Sequence, residues 1–152
     1  MIIPRFPVAE ILKDHAGVQL GILVRQQPQD DTKLGINFVT DGRDSLQVAT
    51  MFHPMGKEVD VHYHPKTQRV IQDTNEVLIL VSGVMEVLLF TDPNFSSGYV
   101  MHPGDMIIIQ KGWHGIRMIT DCEIIEVKQG PHVGETDKIR FNKDIHGPIP
   151  TA

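Results

Sequence analysis

The stretch Glu76-Val-Leu-Ile-Leu-Val-Ser-Gly-Val-Met-Glu-Val-Leu-Leu-Phe90 constrains the fold more than any other part of the chain. It is apolar and rich in branched side chains, and Ser82-Gly83 breaks it in the middle. A membrane helix takes about 20 uninterrupted apolar residues, so this stretch predicts instead two strands pivoting at Ser82-Gly83. Shorter apolar runs recur along the chain. Val18 to Arg25, Ile36 to Thr40, Leu46 to Phe52, Glu58 to His64, Tyr99 to His102, Met106 to Ile109, His114 to Ile119 and Glu123 to Lys128 all read as strands. Turn residues separate them, including Asp41-Gly42-Arg43-Asp44, a hairpin signal. Turns spaced by about 8 to 12 residues predict an all-β fold, a barrel or a sandwich. Val8 to Lys13 reads as one or two helical turns, and Gln26 to Lys33 and Pro65 to Asn75 as loops. The 152 residues suit one domain with ample core. The barrel or sandwich core would span about 46–128, with N-terminal strands in 18–45 and a loop-like tail over 129–152. The N-terminal strands are expected to extend a sheet edge or to form a homodimer interface.

Composition excludes some partners. A net charge of −5 and the lack of a basic tract argue against nucleic acid and against an anionic membrane surface. No signal peptide is expected at the N-terminus. One cysteine, Cys122, rules out an intrachain disulfide, and a cytoplasmic location is the expectation.

Chemistry concentrates in the histidines. His62 and His64 alternate within a strand-like run, so a strand would aim both imidazoles to one side and Tyr63 to the other. A metal needs neutral imidazoles converging at about 2.0–2.1 Å, and alternation supplies two at once. His114 follows the turn Gln110-Lys-Gly112-Trp113, and Glu76 opens a later strand. These could complete a site. The competing reading is that the three histidines are surface or core residues with no shared role.

The spacing around these residues resembles the two motifs of the cupin superfamily. Gly56, five residues, His62-x-His64, then Glu76, six residues, Gly83 corresponds to the first. Gly104, five residues, Gln110-x-Gly112 and then His114 corresponds to the second. The match covers about Met51 to Val127. It departs from the family in three places. Eleven residues separate His64 from Glu76 where three or four are usual, Gln110 replaces a proline, and one residue rather than two separates Gly112 from His114. The resemblance implies a double-stranded β-helix, the cupin jelly-roll barrel, with one divalent metal ion in its mouth. It implies His62, His64, Glu76 and His114 as ligands, with Gln68 as the substitute for Glu76. Such a set suits Fe, Mn, Ni, Cu or Zn without choosing among them. Gly112-Trp113-His114, Val87 to Phe90 and Glu126 to His132 with Asp137-Lys138 look like the WbuC-type cupin metalloproteins. Glu123 to Gly130 and Gly134 to Phe141 are similar to the cupin end of mannose-6-phosphate isomerases. Both point to a sugar-like small molecule.

Three functions are compatible with this reading. The first is an isomerase or epimerase acting on a sugar or activated sugar, in carbohydrate or surface polysaccharide metabolism, with the metal as Lewis acid. The second is a non-haem Fe(II) dioxygenase. The third is a non-catalytic sugar or metabolite sensor. Tyr99 and Glu126 are the candidates for a general base. Glu126 could instead hydrogen-bond a ligand imidazole, or point to solvent. Trp113, Arg117 and Lys128 are candidate substrate contacts, against the alternatives of turn packing for Trp113 and solvated charge for the other two. Met51, Met55, Met106 and Met118 read as core filler, Cys122 as a structural thiol, and His132 and His146 carry no signal.

Overall fold

The computed structural model describes residues 5–28 and 34–141. His146 and the end of the tail lie outside the described residues, as do residues 29–33 of the expected loop. The chain is all-β. Ten strands are described: β1 (Arg5–Lys13), β2 (Gln19–Pro28), β3 (Gly35–Phe38), β4 (Ala49–Phe52), β5 (Glu76–Ser82), β6 (Met85–Phe90), β7 (Ser97–Met101), β8 (Met106–Ile109), β9 (Trp113–Met118) and β10 (Glu123–Lys128). Two short 3-10 turns, Pro93–Phe95 and Gly134–Asp137, are the helical elements among the described residues. No helix among them is long and apolar enough to cross a membrane.

Every pairing is antiparallel, and the strands form sheets of five (β1-β2-β8-β5-β10), three (β7-β6-β9) and two (β3-β4). Strand alternation explains how they stack. Leu78 and Leu80 of β5 point to one side, with Leu23 of β2 and Ile107 and Ile109 of β8. There they meet Met85, Val87 and Leu89 of β6 and Met101 of β7. Val77 of β5, Ile22 and Val24 of β2 and Ile108 of β8 point the other way. Val39, Leu46 and Val48, which flank and connect β3 and β4, cover them. The five-stranded sheet is thus a middle layer with apolar packing on both faces. That is why β5 reads as an unbroken apolar run rather than as an alternating one.

The pivot between β5 and β6 depends on Gly83. Its φ is +89°, and a Cβ there would collide with the Asp121 carbonyl. The Pro103-Gly104-Asp105 turn is pinned by the buried carboxylate of Asp105. That carboxylate accepts from Arg25 Nη1 at 3.1 Å, the Gln26 amide at 3.2 Å and the His102 amide at 3.0 Å.

Three expectations change. Residues 8–13 are not helical; they lie in β1, which pairs with β2 from Arg5↔Pro28 to Lys13↔Gln19. A helix this short pays the nucleation cost for few hydrogen bonds, whereas β2 offers a full ladder. Residues 18–28 are also more than an appendage, since β2 sits inside the five-stranded sheet. Second, Glu58 to His64 is not in a strand; residues 53–75 run as irregular, largely exposed chain. Third, the methionines in the core are Met85 and Met101. Met51, Met55 and Met118 are exposed, and only Met106 of the expected four packs against a core cluster.

Candidate metal centre

Glu76 and His114 are brought together by the packing of the two larger sheets. Glu76, the first residue of β5, lies opposite Ile109 of β8. His114, the second residue of β9, lies opposite Leu89 of β6. Ile109 and Leu89 both belong to the core cluster between the sheets, so cross-strand pairing puts Glu76 and His114 at one end of that interior. The turn from β8 to β9 makes this possible. Gly112 has φ +82°, and a Cβ there would stand 2.7 Å from the Phe90 carbonyl oxygen. A side chain at Gly112 would push β9 away from β6 and His114 away from Glu76.

His114 Nε2 lies 3.0 Å from Glu76 Oε2, with both side chains partly buried. An ionised carboxylate only accepts, so Nε2 carries the shared proton. This hydrogen bond is the largest influence on Glu76 and holds its carboxyl below the usual range. The charges of His114, Lys128 and Lys138 act in the same direction, against the opposing effect of burial.

Lys128 stands opposite Glu76 in the β5–β10 register. Its Nζ is 3.0 Å from Asp137 Oδ2, 3.7 Å from Glu126 Oε1 and 3.9 Å from Glu76 Oε1. The Asp137 contact pushes the Lys128 ammonium up and holds the Asp137 carboxyl down. His132 Nδ1 adds a contact at 3.3 Å to the same Asp137 oxygen. Sequence reasoning missed this role for Asp137 and His132, because the tail folds back over the end of β10 without any local pattern to announce it. Beside the pair lies a cleft of about 850 Å³, whose walls include Trp113, His114, Asp137, Lys138 and Phe141.

Of the other candidate residues, all but Trp113 fall elsewhere. His62 and His64 are exposed in 53–75, their ring centroids 5.3 Å apart and their planes at 82°. His62 Nδ1 contacts the Asp60 carbonyl oxygen at 2.8 Å, and Gln68 is exposed in the same segment. Among the described residues no three His, Cys, Asp or Glu side chains converge as a metal site would require. Glu126 is half exposed and within reach of Lys128 at 3.7 Å. Tyr99 packs against the interior beside Val87, and β6 separates its strand from β9. Arg117 turns to the opposite face of its sheet from His114, where Nη2 meets Glu86 Oε2 at 2.6 Å in a largely buried ion pair. Trp113 also turns away from the interior between the sheets, but it lines the cleft beside His114. It stacks on Phe90 and meets Phe141 edge-on, with centroids at 6.5 and 5.5 Å.

No family model matches the chain, and neither a curated protein nor a solved structure does. The site is therefore read from its own chemistry.

Proposed function

We propose that this protein is a metal-binding cupin in which Glu76 and His114 are half of a divalent-metal centre, and that it acts on a sugar or activated sugar as an isomerase or epimerase. The observation that carries this reading is the 3.0 Å contact between Glu76 and His114 at the end of the interior between two sheets. Imidazole nitrogen and carboxylate oxygen are the donor types that borderline divalent ions take, and here two of them share one proton at a position where a cation can replace it.

His62 and His64 supply the other half in this proposal. β9 forms one edge of the three-stranded sheet, and 58–64 is a strand-patterned segment without a ladder. Its Val59, Val61 and Tyr63 are exposed. Added to the outer edge of β9, the segment would bury that apolar row and carry His62 and His64 toward His114. The three-stranded sheet would gain a fourth strand, and the two large sheets would approach the jelly roll that the motif spacing implies.

A bound metal would polarise a carbonyl or hydroxyl oxygen of the substrate. The chain's own residues do the rest. Lys128 holds positive charge beside the pair and, through Asp137, ties the tail to the wall of the cleft. Glu126, half exposed at 3.7 Å from Lys128, would serve as the general base in this proposal. A homodimer is part of the proposal. Ile36, Phe38 and Met51 form an exposed apolar row on the β3–β4 hairpin, the kind of surface a two-fold partner covers.

The test is elemental analysis of protein purified without added metal, for wild type and for His62→Ala and Glu76→Ala. The expected result is one divalent ion in wild type and little in either variant; equal metal content in all three overturns the reading. Sugar-nucleotide turnover that persists without oxygen supports the isomerase. Fe(II)-dependent oxygen consumption would assign a dioxygenase instead, and tight sugar binding without turnover a sensor.

A further inference from the structure

We propose that a second cleft, on the other face of the five-stranded sheet, is a binding site for a neutral saccharide that needs no metal. This cleft holds about 800 Å³. It lies where the β3–β4 connection, the start of β2, the turn after β8 and the residues before β5 come together. A hydrogen-bonded relay lines it. Gln19 Nε2 donates to Gln110 Oε1 at 2.7 Å, and Gln110 Nε2 donates to Asp44 Oδ2 at 2.8 Å. Asp44 Oδ2 also accepts from the Asp41 amide at 3.1 Å. Asp41 in turn holds Arg43 in a fork, Nε to Oδ1 at 2.8 Å and Nη2 to Oδ2 at 3.2 Å. The Arg43 guanidinium holds the Asp41 carboxyl down to about 2, so the fork stays ionised at neutral pH.

This arrangement selects a ligand class. Each carboxamide in the relay spends one hydrogen on its neighbour and keeps another N–H. Arg43 keeps N–H groups beyond those given to Asp41. The lining thus alternates fixed donors and acceptors, which is what a hydroxyl needs, since a hydroxyl gives one hydrogen bond and takes others. The lining carboxylates Asp41, Asp44 and Asp73 outnumber the cations Arg43 and Lys111, which disfavours phosphate or a carboxylate ligand. Val70 is the one apolar side chain on the walls, which disfavours a hydrophobic one. A neutral polyhydroxylated ring fits both exclusions. Asp73 lines this cleft and the one beside His114, so the two open toward a shared wall. The proposal stands apart from the metal reading, because no residue of the relay is among the proposed ligands.

The experiment is a titration of the full chain with glucose, mannose, galactose and a neutral disaccharide, followed by nitrogen–proton correlation spectra up to the hundred-millimolar range. The expected result is a saturable shift in the side-chain amides of Gln19, Gln110 and Asn75 with at least one sugar, unchanged by a chelator. Asp44→Ala should weaken it by about tenfold or more, the loss expected for a hydrogen bond to a charged group. Arg43→Ala, at an exposed side chain whose loss leaves the fold intact, should weaken it as well. Silence of all three amides with every sugar overturns the proposal. So does binding that a chelator abolishes, or binding of inorganic phosphate where the sugars are silent.

Discussion

The strands Glu76–Ser82 and Met85–Phe90 and the segment 53–75 before them differ in one respect that sets their fates. β5 and β6 are apolar on successive positions, so each has a surface to bury on either side. Leu80, Met85 and Val87 are completely buried. The run from Glu58 to His64 is apolar only on alternate positions, and its partner strand is not at hand; Val61 is fully exposed. A continuous apolar strand carries its own driving force to the interior. An alternating one carries half of that force and depends on a ladder and a covering face supplied by others.

The comparison can be broken in four ways, taken from the largest effect to the smallest. Arg117→Met removes the guanidinium from the largely buried Glu86 carboxylate, and unfolding in urea should show a loss of about 3–5 kcal/mol. A large loss of turnover at unchanged stability would instead make Arg117 a substrate contact. Leu80→Ala should cost about 2–5 kcal/mol, whereas Val61→Ala should stay within about 0.5 kcal/mol as an exposed substitution. A cost near that of Leu80 at Val61 would mean that the segment is packed in solution. If the proposed centre exists, addition of its divalent ion at about 100 times the Kd should raise stability by about 2.7 kcal/mol. The melting temperature reports it, and His62→Ala should abolish the shift. The same addition should slow hydrogen exchange at the 58–64 amides, and unchanged exchange would sink the idea that they add to β9.

The smallest effect is on the acid limb. Glu76 is held below its ordinary value of 4.5, first by the hydrogen bond from His114. A carboxyl depressed in the folded state binds protons more readily when unfolded. Its contribution is therefore present above pH about 4.5 and is lost as the pH falls through the lower folded value. Glu76→Gln should flatten this part of the profile of melting temperature against pH. An identical acid limb in the variant would remove Glu76 from the account.

Much of the fold was readable because periodicity is a local property. The pivot at Ser82-Gly83, the strands Met106–Ile109 and Glu123–Lys128 and the hairpin across Asp41-Gly42 each follow from residues close together in the chain. Glu76 and His114 were legible as candidates by spacing, and the structure brings them into contact. Trp113 and Arg117 were legible as chemistry-bearing types, yet both turn to the far face of their sheet from His114.

By itself, then, the sequence determined that this chain builds antiparallel strands and where most of them turn, because burying branched apolar side chains and accommodating a positive φ at glycine are decided within a few residues. Only the tertiary structure decided that residues 8–13 extend a sheet rather than form a helix, that Glu76 meets His114 and that the tail anchors Lys128 through Asp137. Those outcomes depend on which strand offers hydrogen bonds to which, and on which face of a sheet lies against another. Side chains tens of residues apart become neighbours only when whole layers pack.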